Sequence, residues 1–261
     1  MNPLSPAGLF SLEGKVALVT GASGGIGGVL AHGLAAAGGR IALTGRDHAK
    51  LEIVRREIEA LDGQAHAFAT DLDDPEAIPA LVSSVLERFG RIDILVNCVG
   101  INQREPLRDV NRETFRKIIA TNLESVYFLS QAIMPVMQKT GGGKIVHIGS
   151  LSAAVGLSEV SVYGMTKAAL AQLTKTMAIE GAPMGINVNC LCPGFIATEL
   201  TVPLWENGNR KRWMLERLPL NRPGKPEDLV GTTVLLASSA SDYMTGQSVY
   251  IDGGFLAGSE W

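Results

Sequence analysis

Val16-Ala-Leu-Val-Thr20-Gly21-Ala-Ser-Gly-Gly-Ile-Gly27 is the stretch that decides the fold. A short apolar run ends on a cluster of glycines, and a helical pattern over 25–37 begins at once. Strand, glycine-rich turn and helix in that order present backbone N–H groups at a helix N-terminus, where the positive end of the helix dipole favours an anion. Gly21, Gly25 and Gly27 permit a tight turn and close approach of the backbone to a pyrophosphate, and Ser23 and Ile26 belong to the same contact surface. The three-residue gap between Gly21 and Gly25 differs from the G-x-G-x-x-G dinucleotide fingerprint.

Outward from this turn, apolar strands alternate with longer helical patterns. Strands are predicted at 15–20, 40–44, 64–69, 92–97, 144–148, 187–191 and 248–251. Helices are predicted at 25–37, 47–61, 75–89, 111–137, 160–182 and 226–237. Strands apolar on both faces and separated by helices imply a parallel sheet covered on both sides. Right-handed crossovers make this a doubly wound α/β fold of the Rossmann type, about seven strands with helices on both faces, and ligands at the carboxyl ends of the strands. No repeat, low-complexity tract or linker divides the chain, so residues 1–261 are read as one domain. The stretch 193–226 interrupts the alternation, carries Trp205 and Trp213, and follows a strand end. It reads as a lid over the site, against the alternative of a static surface excursion.

Composition excludes several classes. A chain of 261 residues with 46% hydrophobic residues buries one sizeable core. Net charge is −3, and the densest basic patch, Arg210-Lys211-Arg212, reads as solvated helix surface. Neither nucleic acid nor an anionic membrane is an expected partner. Met1 to Phe10 lacks a basic flank and long apolar run, and no stretch is long enough to cross a bilayer, so a cytoplasmic location is expected. Three cysteines (Cys98, Cys190, Cys192) suit a reducing compartment better than a disulfide framework. Cys190 and Cys192 lie two apart in a strand and read as buried small residues; His32, His48, His66 and His147 are scattered, and no metal site is expected.

Tyr163-Gly-Met-Thr-Lys167 places a phenol and an ammonium four residues apart in the helix read at 160–182, on one helical face. A free tyrosine, with a pKa of about 10, exchanges protons poorly near neutrality. An ammonium beside it favours the phenolate and brings the phenol toward working pH. With the glycine turn upstream, the pair points to redox chemistry on a carbinol or carbonyl.

In these motifs the chain resembles the short-chain dehydrogenase/reductase family, whose pattern is T-G-x-x-x-G-x-G, N-N-A-G, a helix asparagine, a serine, Y-x-x-x-K and P-G. Here those stand at 20–27, Asn97-Cys-Val-Gly100, Asn122, Ser150, Tyr163 with Lys167, and Pro193-Gly194. Cys98 and Val99 depart from the family's usual residues, and the turn is expected to survive them. The resemblance implies that Tyr163 is the general acid/base, that Lys167 lowers its pKa and binds the nicotinamide ribose, and that Ser150 holds the substrate oxygen. It implies that Asn122 holds a water linking Lys167 to solvent, that Pro193 and Gly194 border the nicotinamide, and that Asp71 contacts the adenine. Ser152 competes with Ser150, but Ser150 has the spacing to the tyrosine that the family expects. A homotetramer is also implied.

Family members preferring NAD carry an acidic residue at the end of the second strand. Here that region reads Leu43-Thr-Gly-Arg-Asp47, where Gly45 faces the ribose and Arg46 suits a phosphate. NADP is therefore favoured over NAD, although Gly24 replaces a basic residue found in many NADP-dependent relatives. Asp47 is either a ribose ligand or the N-cap of the next helix. The segments 9–14, 101–107 and 252–254 look most like gluconate 5-dehydrogenases and related sugar-acid dehydrogenases. Gln103 and Arg104 are the candidate substrate contacts, with Arg104 pairing a carboxylate such as that of gluconate or 5-ketogluconate. The alternatives are a 3-oxoacyl thioester reductase, a broad secondary-alcohol dehydrogenase and, in a different class, a nucleotide-binding scaffold without turnover.

Overall fold

Strand β1 (Val16–Thr20) is buried at every position, and its residues divide between the two faces of the sheet. Ala17 and Val19 enter one core, and Leu18 enters another. Successive side chains of a strand point to opposite faces, so a strand covered on both sides must be apolar throughout. That is why this strand shows no polar alternation in the sequence.

The computed structural model describes residues 5–199 and 201–258. A short helix, α1 (Pro6–Leu9), precedes β1; then follow α2 (Gly25–Ala36), β2 (Arg40–Gly45), α3 (His48–Glu59), β3 (Gln64–Ala69), α4 (Ala77–Phe89) and β4 (Ile94–Asn97). Next come α5 (Arg112–Ile119), α6 (Ser125–Lys139), β5 (Gly143–Ile148), α7 (Ser161–Gly181) and β6 (Ile186–Pro193). The chain continues through α8 (Val202–Glu206), α9 (Gly208–Leu215), α10 (Val230–Ala237) and β7 (Ser248–Ile251). All seven strands pair in parallel in the order β3-β2-β1-β4-β5-β6-β7. The order reverses between β1 and β4, so a crevice opens at their carboxyl ends, the switch point where such sheets bind ligands.

One core takes Leu30 and Leu34 of α2, Leu51, Val54 and Ile58 of α3, and Leu236 of α10. The other takes Leu81 and Val85 of α4, Leu129, Ile133 and Met137 of α6, and Met177 of α7. The doubly wound parallel sheet expected from the sequence is the fold observed. Asp47 serves as the N-cap of α3, its Oδ1 accepting the Lys50 N–H at 3.1 Å, which is the second of the two roles weighed for it.

The largest departure lies in 111–137, read as one helix. A π-helical turn, Ala120–Glu124, separates α5 from α6. The wider turn changes the register of the faces on either side, which a single helical period across the stretch does not reveal. The predicted helix at 226–237 likewise opens with a 3₁₀ turn, Pro226–Leu229, before α10. Among the described residues, no helix is long and apolar enough to cross a membrane.

Candidate active site

The glycine turn closes on the β4 end. Thr20, the last residue of β1, accepts the N–H groups of Cys98 and Val99 with its Oγ1, each at 3.0 Å. These bonds use backbone, so the departures at Cys98 and Val99 leave the turn intact. Gly24 and Gly25 adopt φ of +146° and +55°, with open space where a Cβ would stand. The N-cap of helix α2 is Gly24, which has no side chain to cap its N–H groups. Uncapped N–H groups at a helix start, facing open space, form the cradle that a pyrophosphate takes. Gly21, Ser23, Gly25, Ile26 and Gly27 all line one cleft of about 550 Å³. A nicotinamide dinucleotide fits these residues, and the volume is in the range of cofactor sites.

At the end of β2, Gly45 and Arg46 line the same cleft. Gly45 has no side chain and so brings no carboxylate to the end of β2, although a Cβ there would meet only an ordinary contact, 3.6 Å from Ser23 Oγ. Arg46 is exposed and free to reach an anion there. Asp71 also lines the cleft, while its Oδ1 accepts the Asp73 N–H at 3.2 Å, so it shapes the turn after β3 as well.

Tyr163 and Lys167 share one face of α7, with Lys167 Nζ 5.6 Å from the centre of the tyrosine ring. Lys167 is only 4% exposed, and its ammonium donates to the Ile148 carbonyl at the end of β5, at 2.8 Å. Ser150 follows that strand end; its Oγ accepts the Ser152 N–H at 3.1 Å and lies 2.9 Å from Ser152 Oγ. Tyr163, Lys167, Ser150, Gly100, Pro193 and Gly194 all face the cleft. Asn122 sits behind it in the π-helical turn, fully buried. Its Oδ1 accepts the Ile101 N–H at 2.7 Å and its Nδ2 donates to the Ile101 carbonyl at 2.8 Å. The asparagine side chain therefore clamps the loop after β4. At Gly100 in that loop, a Cβ would come within 3.5 Å of Lys167 Nζ and 3.6 Å of Asn122 Oδ1.

Asn97 lies beneath the floor, 1% exposed, and does not line the cleft. Its Nδ2 donates to Ser130 Oγ at 3.0 Å and to His147 Nδ1 at 3.1 Å, which leaves the His147 proton on Nε2. Sequence reasoning passed over this histidine as one of a scattered set; only the pairing of β4 with β5 brings it to Asn97. Burial, and then the charge of Lys167, depress its pKa to about 3. The unfolded chain therefore binds one more proton than the folded one between pH ~6.5 and ~3. This contribution is intact above ~6.5 and is lost as pH falls, at about 1.4 kcal/mol per unit. Urea unfolding at pH 7.5, 6 and 5 should show this slope, and His147→Asn should flatten it; an unchanged slope counts against the assignment.

Burial pushes the Cys98 thiol up to about 12, which keeps it protonated. Cys190 and Cys192 are buried with their Sγ atoms 3.5 Å apart, on one face as read.

The mouth and roof differ from the sequence reading in two places. Arg104 lines the cleft, but Gln103 is exposed and does not; its neighbour Asn102 does. Loop residues have no periodicity from which to tell which of two neighbours turns inward. The stretch 193–226 roofs the cleft through Thr198, Leu204, Trp205, Asn207 and Arg210. Arg210, read as solvated surface, is half-buried and donates from Nη2 to Glu159 Oε2 at 2.6 Å. Lys211 and Arg212 remain exposed as expected. Phe195 meets Trp213 and Phe255 edge-on at the base of the roof, and those two rings are tilted to each other, with centroids 5.4–6.4 Å apart.

The family model described as enoyl-(acyl carrier protein) reductase matches residues 21–256. Gluconate 5-dehydrogenase of Gluconobacter oxydans (strain 621H) is 39% identical over 96% of this chain and 98% of the relative. The 2-dehydro-3-deoxy-D-gluconate 5-dehydrogenase of Bacillus subtilis (strain 168) is 40% identical over 95% of this chain and 97% of its own length. Among solved structures, a gluconate 5-dehydrogenase from Burkholderia cenocepacia J2315, in complex with NADP and tartrate, matches with a TM-score of 0.94. Identity to it is 34%, covering 97% of this chain and 99% of that one.

Proposed function

The chain belongs to the short-chain dehydrogenase/reductase family, and from that premise we propose that it interconverts a sugar acid and its keto form using NADP(H). The observation that carries the reading is the convergence on one cleft of the glycine cradle, the Tyr163/Lys167 face of α7 and Arg104 at the mouth. The bound nicotinamide supplies or takes the hydride. Tyr163 gives a proton to the substrate oxygen in reduction and takes it back in oxidation. Lys167, held by the Ile148 carbonyl, stabilises the negative charge that develops on the phenol oxygen. Ser150 orients the substrate oxygen, and its own bond to Ser152 fixes its rotamer. Asn122 positions the loop bearing Gly100 over Lys167; with its side chain engaged by Ile101, any water it holds for Lys167 meets its backbone.

NADP is the cofactor favoured for this chain. Gly45 and Arg46 support it, as do the NADP complexes of structural relatives. Arg46→Ala should weaken NADP(H) binding by about 1.5–3 kcal/mol, the range for a charge-assisted hydrogen bond, and leave NAD(H) nearly unchanged. Titrating both cofactors checks this; an equal loss for each would remove Arg46 from phosphate recognition.

Sugar-acid specificity is supported by the names of the relatives and by the cation at the mouth. A second reading, a 3-oxoacyl thioester reductase, is favoured by the acyl-carrier name of the matching family model. Oxidation of gluconate, neutral polyols and 3-hydroxyacyl thioesters, followed by NADPH absorbance, separates them. Turnover of gluconate but not the thioesters supports the first reading, and the reverse result replaces it.

Motion of the segment 193–226 as a lid belongs to this proposal, supported by its place over the cleft. So does a homotetramer. An apolar band of Phe115, Tyr127 and Phe128, each more than 40% exposed, runs along α5 and α6, as expected of a surface covered by another subunit. A cytoplasmic location is supported by the three unpaired cysteines.

A further inference from the structure

Three segments far apart in sequence meet above Tyr163. The loop after β4 brings Arg104, the loop before α7 brings Glu159, and α9 brings Arg210. Glu159 holds φ at +65°, the left-handed region that a residue with a side chain seldom adopts. Its backbone carbonyl accepts the Glu105 N–H at 3.0 Å, which ties the two loops together. Its side chain reaches the roof and pairs with Arg210.

Two guanidinium groups lie near the Glu159 carboxylate, but it pairs with Arg210, and Arg104 has no ion pair among the described residues. Arg104 is exposed at the mouth, yet its guanidinium is desolvated enough to hold its proton less tightly, and the nearby charge of Arg210 acts in the same direction. Glu159 and Tyr163 act the other way, which places all four groups in one electrostatic neighbourhood. Arg104 is thus a cation without an ion-pair partner among the described residues, and the neighbouring Glu105 carboxylate keeps one buried oxygen that accepts no hydrogen bond. The Arg210–Glu159 pair is also partly solvated, with side chains 42% and 34% exposed. Ion pairs in that setting are held weakly and exchange readily. Trp205, also on the roof and lining the cleft, has a buried indole N–H without a partner. Buried donors are normally paired with protein or water, so this N–H is open to an acceptor in the cleft.

We propose that Arg104 and Arg210 form a two-guanidinium clamp for the substrate carboxylate, and that Glu159 occupies Arg210 as an internal placeholder which that carboxylate displaces. This rests on the sugar-acid reading and names what recognises the acid. A single incoming carboxylate gives Arg104 a partner, takes Arg210 from Glu159 and draws α9 toward the mouth, so acid binding and roof closure become one event. Arg210 is then a specificity residue, since a neutral polyol has nothing to exchange for Glu159.

The test uses the NADP-loaded enzyme and two probes of equal carbon number, tartrate and neutral threitol. Trp205 and Trp213 ride on the roof, so tryptophan fluorescence reads binding without turnover. Tartrate should bind and threitol should not. Arg210→Ala and Arg104→Ala should each weaken tartrate at least about tenfold, with Arg210→Lys intermediate, while NADP binding is unchanged. Glu159→Gln should tighten tartrate at least about threefold and lower KM for gluconate. If Glu159 is instead a latch that assembles the roof, Glu159→Gln will weaken tartrate, and the placeholder is overturned. If the wild type oxidises gluconate but Arg210→Ala leaves its KM unchanged, the clamp falls while the sugar-acid reading stands. If the wild type turns over no sugar acid, both fall.

Discussion

Tyr163→Phe should lower turnover by at least about a hundredfold while leaving cofactor affinity nearly unchanged. The substitution keeps the ring, and with it the packing of α7 beside Lys167, 5.6 Å from the ring centre. It removes only the proton that must pass to or from the substrate oxygen. Losing a general acid/base of this kind costs roughly a hundred- to ten-thousandfold in rate. The loss should fall on kcat more than on KM, because the proton moves in the transition state. Steady-state rates with the best substrate, together with NADPH titration, measure both. Near-normal turnover would take Tyr163 out of the chemistry and leave the cleft without a proton carrier at that position.

Gly27→Ala should abolish productive cofactor binding and lower thermal stability, whereas Gly28→Ala one residue on should do neither. A Cβ on Gly27 would stand 2.3 Å from the Gly21 carbonyl oxygen and 2.8 Å from its carbon. Both are backbone atoms of the turn itself, so the only relief is to open the cradle. Overpacking of this kind costs about 1–3 kcal/mol in a core, and here the displaced atoms are the ones that approach the pyrophosphate. A Cβ on Gly28 would meet the Ala22 carbonyl oxygen at 3.5 Å and Val54 Cγ2 at 3.6 Å, ordinary contact distances. Replacing a helical glycine by alanine then brings up to about 1 kcal/mol of stability from backbone entropy alone. Thermal melts and NADPH calorimetry on the pair separate the steric argument from a general dislike of change in this helix. Equal behaviour of the two variants would contradict it.

The sequence by itself determined the architecture, because the signals involved are local and repeated. Strands buried on both faces must be apolar throughout, and helices between them must carry a periodic stripe. Each element therefore announces itself within a dozen residues, and handedness does the rest. The cradle was legible at 21–27 for the same reason, since the φ of +146° at Gly24 is open to glycine alone and the +55° at Gly25 is one that glycine takes without strain. The Tyr163/Lys167 pairing was legible because a helix converts a spacing of four into a shared face.

The rest depended on contacts between segments distant in the chain. His147 is one unremarked residue of an apolar strand until β4 is laid beside β5 and Asn97 reaches it. The π-helical turn that buries Asn122 leaves no periodic trace, because it adjusts the backbone to what the helix packs on. Arg210 looked like solvated surface because a charge run on a short helix has that appearance from within. Only the folding of α9 across the cleft brings it to Glu159, fifty-one residues earlier. Local sequence codes the backbone geometry of each element, but the partner of a long polar side chain is set by which segments come to lie side by side. In this molecule the tertiary structure therefore decided which charges line the cleft.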